Sequence, residues 1–254
     1  MKTKFTALLL VAMAFLTISC SNDDDSKEYY VKTIESNYPT SPDDNQSITF
    51  EYDSKNRISG YTISQLGGTI EKTITYNSQN VITKIHSTYT TFGLTDEIDM
   101  DFTYTDGKLS KTIITPFEPS IDPWIINFTY DNNTKKYTGL IESVSDVFTE
   151  ITIDNSNNLT ELFYSGQNTT VARNNNKGIF KNNKNIVPLI VMALFDNSLF
   201  SLQVFSNKEI TSISSGTTSL NSITTRNDNN KIENVRYQST ATTILEIDVI
   251  YEER

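Results

Sequence analysis

Hydrophobic and polar residues alternate with a period of two over many short segments of the chain. In one of these segments, Ile98, Met100 and Phe102 fall on one face of an extended strand, and carboxylates and threonines fall on the other. The segment from Trp124 to Tyr130 alternates in the same way. β-branched and aromatic residues dominate these segments, and both favour a pleated surface that is half buried. The pattern therefore predicts antiparallel strands that each bury one face.

The strands recur within a repeated unit, which is an apolar strand ending in an aromatic residue, an Asp- and Asn-rich turn, and a second strand. The clearest copies are residues 50–58, FEYDSKNRI, and residues 74–82, ITYNSQNVI. Further copies begin at residues 102, 128, 151, 171, 204 and 224, and a half-copy covers 245–251. Asn, Asp and Gly tolerate positive φ and form local side-chain hydrogen bonds, so each unit predicts a β-hairpin.

Consecutive hairpins predict an all-β fold, an antiparallel meander in a strongly curved or rolled sheet. The number of strands exceeds what an open twisted sheet usually holds, and each strand must bury its apolar face. The apolar run from Asn185 to Phe195 contains Pro188, which suits a first helical turn. We expect one short helix near 188–196, packed on the sheet as part of the core. The alternative is a helix that dips into a membrane or docks a partner.

The first twenty residues are typical of a secretory signal peptide. Two lysines precede an apolar run from Phe5 to Leu16, which is too short to span a bilayer. Residues 16–20, LTISC, resemble the lipobox of bacterial lipoproteins, with Thr17 where that family usually has Leu. The resemblance implies a lipoprotein signal peptide over residues 1–19 and a lipid attached to Cys20. An ordinary signal peptide with an incidental cysteine is the alternative.

An acidic segment follows Cys20. Residues 21–25, SNDDD, resemble the surface-export signal of Bacteroidota lipoproteins. That resemblance implies an outer-membrane lipoprotein displayed at the cell surface, with a periplasm-facing protein as the alternative. Adjacent carboxylates repel one another and cannot be buried, so residues 20–28 also read as an acidic tether. We assign residues 29–254 to one domain of repeated hairpins.

The hairpins resemble the Tyr-Asp (RHS-like) repeats of bacterial surface and toxin-shell proteins. The chain from about Tyr30 to Tyr251 looks most like the Tyr-Asp-repeat lipoproteins that are common in Bacteroidota. The resemblance implies a curved antiparallel sheet and supplies no catalytic residues. The later repeats depart from the pattern, because the tyrosine is replaced by Ile153, Arg173 and Arg226.

Composition and charge narrow the classes of function. The 254 residues carry 21 Lys and Arg against 31 Asp and Glu, a net charge of −10. This excess argues against nucleic-acid binding, because phosphate contacts need clustered basic side chains. One cysteine excludes a disulfide framework or a multi-thiolate zinc site, and one histidine, His86, leaves little for acid–base catalysis. We expect no cofactor, no metal and no enzymatic activity.

Two groups of side chains are candidates for chemistry or binding. Glu97, Asp99 and Asp101 share one face of a strand, where they could bind Ca²⁺ or supply a glycosidase pair. A solvated polar face that discourages edge pairing is the favoured interpretation. Trp124 and Phe117 could stack on a sugar, although Trp124 alternates in phase with core positions and core packing is favoured.

The sequence therefore predicts a cell-envelope protein that is attached to the membrane through a lipid on Cys20. The favoured function is a non-catalytic surface binding or adhesion module for an extracellular glycan or an envelope protein. Two alternatives stay open. One is a purely structural envelope protein, and the other is a hydrolase that uses the Glu97, Asp99 and Asp101 face.

Overall fold

The computed structural model describes residues 28–118, 120–143, 146–180, 185–196, 206–240 and 242–254. The predicted signal peptide, Cys20 and nearly all of the predicted tether lie outside the described residues. The chain divides into two units. One comprises residues 1–30 with 252–254, and the other comprises Val31–Tyr251, which contains nearly all of the features described below.

Sixteen strands in the described part of the chain form one closed antiparallel barrel, in which neighbours in sequence pair and β1 lies beside β16. The strands are β1 (Tyr29–Asn37), β2 (Gln46–Tyr52), β3 (Ile58–Gln65), β4 (Gly68–Tyr76), β5 (Ile82–Thr91), β6 (Leu94–Thr105), β7 (Lys108–Pro116), β8 (Trp124–Asp131), β9 (Lys136–Ile141), β10 (Val147–Ile153), β11 (Leu159–Tyr164), β12 (Gln167–Lys177), β13 (Lys208–Ser215), β14 (Thr218–Arg226), β15 (Ile232–Ser239) and β16 (Thr242–Glu253). A 3₁₀ turn, Pro42–Asp44, lies between β1 and β2, and one helix, α1 (Ile186–Asp196), precedes β13. The predicted all-β meander, its rolled sheet and its short helix are confirmed.

The two faces of the barrel wall differ in polarity because the strands alternate with a period of two. On β2, Ile48 and Phe50 are buried, whereas Thr49 and Glu51, which alternate with them, are exposed. The same alternation continues around most of the wall, so most inward positions are apolar and most outward positions are Thr, Ser, Asn or charged residues. Lys72, Ser87 and Thr112 are buried exceptions on the inward face. Fully buried inward side chains come from strands all around the barrel, and they include Ile34, Ile82, Ile85, Met100, Ile126, Ile151 and Ile247.

Helix α1 lies in the interior of the barrel. Its residues from Ile186 to Ala193 are all buried, so it has no solvated face in this part. A helix that is apolar all round is stable when it is enclosed. The hydroxyl of inward-facing Tyr61 contacts Met192 Sδ at 3.3 Å, which fixes the helix against β3. This burial agrees with the core interpretation of the segment. None of the described helices is long and apolar enough to cross a bilayer.

The barrel has two ends that carry mostly different kinds of turn, with the two-residue Asp106–Gly107 turn after β6 as an exception. We call the end with the turns after the even-numbered strands the tyrosine end, because Tyr52, Tyr76 and Tyr104 lie there. We call the end with the turns after the odd-numbered strands the glycine end. Its two-residue turns include Gly93 and Gly166, with φ of +82° and +77°. Positive φ is accessible to glycine without steric cost, and it lets these short turns match the strand twist.

Candidate functional site

The tyrosines of the repeat tie the tyrosine end together. Three of them donate a hydroxyl hydrogen bond to a backbone carbonyl near the start of the preceding strand. The donors Tyr52, Tyr76 and Tyr104 lie 2.7, 2.8 and 2.7 Å from the carbonyl oxygens of Val31, Ile58 and Ile82, respectively. Burial raises the pKa of Tyr76 to about 12, so its hydroxyl stays protonated and able to donate. The aromatic signature of the repeat is thus a backbone anchor.

In two repeats that lack the tyrosine, an arginine donates to a backbone carbonyl at the same end of the barrel. The guanidinium of Arg173 donates to the carbonyl of Leu159 at the start of β11. The guanidinium of Arg226 donates to the carbonyl of Lys177 at 2.9 Å. Burial lowers the pKa of Arg173 to about 10, which still leaves it charged at neutral pH. Sequence reasoning treated these positions as departures from the repeat, although arginine supplies the same kind of donor.

Four turns at the tyrosine end share one hydrogen-bond pattern. In the first, Asp53 Oδ1 accepts the backbone N–H groups of Lys55 at 2.8 Å and Arg57 at 3.0 Å. Asn56 between them has a φ of +57°. The turns that start at Asn77, Asp154 and Asn227 repeat this arrangement, with left-handed residues Asn80, Asn157 and Asn230. In each of these turns, one side-chain oxygen therefore accepts two backbone N–H groups of the turn, as Asp and Asn commonly do. We say that this oxygen brackets the turn.

The candidate carboxylates lie on the outward face of β6, as the alternation predicts. Asp99 accepts hydrogen bonds from Lys84 Nζ at 2.7 Å and from His86 Nδ1 at 2.8 Å. Burial alone would raise the pKa of Asp99, but these two bonds outweigh it and hold the pKa below its usual value. Among the described residues, no group of three or more His, Cys, Asp or Glu side chains is placed to hold a metal ion.

His86 also approaches a hydroxyl, since its Nε2 lies 3.3 Å from Thr88 Oγ1. Asp99, His86 and Thr88 therefore follow the order of a catalytic triad. All three lie on the outer wall of the barrel, where His86 and Asp99 are each more than 30% exposed. Nucleophilic catalysis uses sites that exclude water and hold donors toward the developing oxyanion. An outward-facing wall position encloses no substrate, so this cluster is better explained as a surface ion pair.

A shallow depression of about 300 Å³ lies between the first three strands at the glycine end. Small-molecule sites are usually lined by apolar and aromatic side chains with a few polar groups. The lining here is polar or charged throughout, and it consists of Glu35, Asn37, Asn45, Gln46, Ser47, Ser64 and Gln65.

The two predicted ligand contacts lie at the glycine end. Phe117 is 61% exposed, and Trp124 is 51% exposed. Trp124 pairs with Ile114 of β7 and lies on the same side of β8 as the fully buried Ile126. Its strand phase is therefore the inward one that core packing requires, but as the first residue of β8 it remains half exposed. Ile126 is thus packed fully into the core, whereas about half of the Trp124 indole stays accessible to solvent.

Among the other described apolar side chains that are exposed at this end, three are more than 70% exposed. Leu66 is 73% exposed in the β3–β4 turn, and Phe92 and Leu94 are 88% and 76% exposed at the β5–β6 turn. We call these three residues, together with Phe117 and Trp124, the apolar rim. The sequence analysis missed the first three because glycine-containing turns are expected to be polar. The available signal was a large apolar residue directly beside glycine, as in LG at 66–67 and FGL at 92–94.

Comparisons with known proteins bear on the fold. No family model matches the sequence, and a search of curated proteins finds no match. Solved structures that resemble this chain include a porin-like protein from Bacteroides uniformis ATCC 8492, with 15% identity, coverage of 87% of this chain and 96% of that chain, and a TM-score of 0.51. A porin-like protein from Bacteroides vulgatus ATCC 8482 has 11% identity, covers 89% and 99% of the two chains, and has a TM-score of 0.41. The likeness to the first of these two structures shows a shared barrel fold.

Proposed function

We propose that this protein is a non-catalytic binding module of the bacterial cell envelope, attached to the outer membrane by a lipid on Cys20 and displayed at the cell surface. The observation that carries this proposal is the polarity of the barrel wall. Buried apolar side chains such as Met100 and Ile126, together with α1, occupy the interior. Outward positions such as Glu51 and Asp101 are polar and exposed. Such a barrel is suited to stand in water on a tether.

A transmembrane pore is the second candidate, suggested by the porin-like neighbour. A transmembrane barrel presents an apolar band roughly 25 Å tall to lipid and lines its lumen with polar residues. The wall described here has the reverse arrangement. A basic residue on a lipid-facing wall costs about 2–4 kcal/mol at the bilayer midplane, and Lys84 and Lys136 both lie on the outward face with carboxylate partners. We therefore favour attachment through a lipid over insertion of the barrel.

The ligand class that we infer is an extracellular glycan or another envelope protein. The exposure of Phe117 and Trp124 supports this inference, because large aromatic side chains provide rigid contact area at binding surfaces. The recurring tyrosine anchors and Asx turns support kinship with the Tyr-Asp-repeat lipoproteins. A purely structural envelope role is the alternative, and it predicts that changes at exposed aromatics leave the envelope phenotype unaltered.

The lipid anchor is tested by Cys20→Ser in cell fractionation. The substituted protein is expected in the soluble fraction or as an uncleaved precursor. Normal processing with unchanged membrane retention would contradict the anchor.

The pore alternative is tested by adding the purified full-length protein to planar lipid bilayers and recording conductance. We expect no stepwise channel openings, because the interior of the barrel holds apolar side chains and a helix. Reproducible single-channel steps that disappear when the protein is denatured would overturn the proposal in favour of a pore.

A further inference from the structure

We infer that the apolar rim is a docking surface for a polypeptide segment that carries both basic and apolar side chains. This inference rests on the proposed binding function and assigns it a site and a partner class. Three observations at the glycine end support it. An aromatic side chain is exposed in a turn that does not require it, two adjacent turns are joined by a hydrogen bond, and the charged residues on the rim segments are all acidic.

The first observation is the conformation of Phe92, which lowers the stability of the fold. Phe92 is 88% exposed and its φ is +49°, a left-handed conformation that is sterically unfavourable for a residue with a side chain. The same turn geometry is built elsewhere by Ser165 before Gly166, with φ of +51° and +77°, and by Asp106 before Gly107. The turn therefore does not require phenylalanine. An exposed ring held at a strained position indicates a binding role.

The neighbouring turns hold this ring in place. Phe92 N–H donates to the carbonyl of Gly67 at 3.0 Å, which ties the β5–β6 turn to the β3–β4 turn. The phenyl ring lies over Gly67 so closely that a Cβ on that glycine would be 2.9 Å from Phe92 Cζ. Any larger residue at 67 would displace the ring. The backbones of the two turns are therefore joined before a partner binds, which lowers the entropy lost on binding.

The residues of the apolar rim lie at two different heights along the direction of the strands. Residue Ile98 of β6 pairs with Pro116, the last residue of β7, and Leu94 lies four residues farther along β6. At ~3.4 Å per residue, Leu94 stands roughly 13 Å beyond the end of β7, where Phe117 follows. Apolar side chains on projecting turns suit insertion into the surface of a macromolecule. A small ligand is usually bound in a concave pocket instead.

The charged residues on the segments that carry the rim are all negative, and the nearby Lys72, whose Nζ lies 3.5 Å from the Tyr89 hydroxyl, is buried rather than exposed. Segments 64–70, 89–98, 114–125 and 141–148 contain no Lys, Arg or His. Their charged residues are the six carboxylates Asp96, Glu97, Glu118, Asp122, Glu142 and Asp146. Electrostatic complementarity across an interface selects a partner of opposite sign. An anionic lipid surface would be repelled, and an uncharged glycan would gain no long-range attraction, so the charge favours a basic polypeptide.

The rim also lies away from the start of the barrel. Val31, the first residue of the second unit, is at the tyrosine end, where its carbonyl accepts the Tyr52 hydroxyl. The first strand of the barrel therefore begins at the end opposite to the rim.

The sole tryptophan of the chain, Trp124, belongs to the rim and reports on the site directly. The experiment titrates the full-length protein with a short peptide of alternating Lys and Leu, which contains no tryptophan, and follows the emission of Trp124. We expect a saturable shift to shorter wavelength that weakens as salt is added. A peptide of alternating Glu and Leu is expected to produce no shift.

The variant that tests the site is Phe92→Asn with Leu94→Asn. Asn is favoured at the first position of this turn, so the variant is expected to fold. We expect it to lower the affinity for the Lys–Leu peptide by about tenfold or more, as loss of central apolar contacts does. Ile223→Asn is the matched control, since Ile223 is 45% exposed on the outer wall and lies outside the rim. Its affinity is expected to equal that of the unchanged protein.

Retention of peptide binding by the double variant would overturn the inference, and so would an equal response to the Glu–Leu peptide. Vesicles of phosphatidylcholine and a soluble bacterial glycan serve as competing probes in the same assay. A rim-dependent response to vesicles or glycan but not to the Lys–Leu peptide would refute a polypeptide partner. Glycan binding that survives the double variant would refute the rim as the site while leaving the proposed binding function standing.

Discussion

The two ends of the barrel are made by the same meander but differ in how their turns are held. At the tyrosine end, a side-chain oxygen such as that of Asp53 brackets the turn and a tyrosine hydroxyl ties the strand to its neighbour. At the glycine end, the turns between β5 and β6 and between β11 and β12 have two residues each. The repeat therefore stabilises the turns at the tyrosine end, and the turns at the glycine end carry the apolar rim and the carboxylates on its segments.

Among changes at the two ends of the barrel, the largest expected effect comes from removing the carboxylate of Asp154, which accepts the backbone N–H groups of its turn. Asp154 accepts hydrogen bonds from the backbone N–H groups of Ser156 and Asn158 and from the Asn158 side chain. Asp154→Ala leaves these donors without that partner and is expected to lower the free energy of unfolding by about 2 kcal/mol. Urea denaturation measures the change. Asp228→Ala, in the exposed middle of a matching turn, is the control and is expected to stay within about 0.5 kcal/mol.

Removing one tyrosine anchor is expected to have a smaller effect. Tyr76→Phe deletes the hydroxyl that donates to Ile58 and keeps the ring beneath the Arg57 guanidinium. We expect a loss of about 1 kcal/mol in the free energy of unfolding. Tyr130→Phe serves as the comparison, because the described contacts of Tyr130 with Lys108 and Tyr137 are made by its ring. Equal losses from the two changes would show that the hydroxyl anchor contributes nothing of its own.

At the glycine end, we expect a substitution that increases the free energy of unfolding rather than lowering it. Phe92→Asn relieves the left-handed strain and is expected to raise the free energy of unfolding by up to about 1 kcal/mol. Leu66→Asn is the control, because it removes a similarly exposed apolar side chain at a residue without positive φ. Its stability is expected to change by less than about 0.5 kcal/mol. A marked loss of stability in Phe92→Asn would mean that the ring supports the fold rather than binding.

Acid is expected to weaken the tyrosine end through its turn carboxylates. Burial would raise the pKa of Asp53 and Asp154, but hydrogen bonds from Arg57 and Asn158, respectively, hold each pKa below its ordinary value of 3.8. A pKa depressed by folding contributes stability that is complete above the unfolded-state pKa and is lost as pH falls through the folded-state pKa.

The matched variant for this pH dependence is Asp53→Asn with Asp154→Asn. Asn77 and Asn227 show that asparagine keeps the bracketing oxygen in the same turn. The variant is expected to lose stability less steeply below about pH 4, as measured by thermal unfolding at a series of pH values. An unchanged slope would show that other groups set the acid sensitivity.

The sequence predicted the scaffold well because its physical signals are local. Period-two alternation identified the buried face of β6, and the Asp and Asn clusters identified the turns that Asp53 and Asn77 bracket. Closure of the barrel was not predictable, since it depends on β1 and β16, at opposite ends of the chain, lying side by side.

The candidate site was predicted less well, for reasons that lie in individual residues. The phase of Trp124 was correct, but its exposure depends on where β8 begins. Phe92 escaped notice because its turn works equally well with Ser or Asp, so no local rule predicts an apolar residue there. Arg173 escaped notice because its role as a backbone donor becomes visible only when Leu159 is placed beside it.

The central claim is that the apolar face of the sheet points into the barrel and the polar face points into water. Adjacent residues of β2 test it most directly, through Phe50→Asp and Thr49→Asp measured by urea denaturation in buffer without detergent. An unpaired carboxylate at inward Phe50 is expected to abolish cooperative folding, whereas outward Thr49→Asp should change the unfolding free energy by less than about 0.5 kcal/mol. Tolerance of Phe50→Asp together with loss of folding in Thr49→Asp would place the apolar face outward and contradict the account.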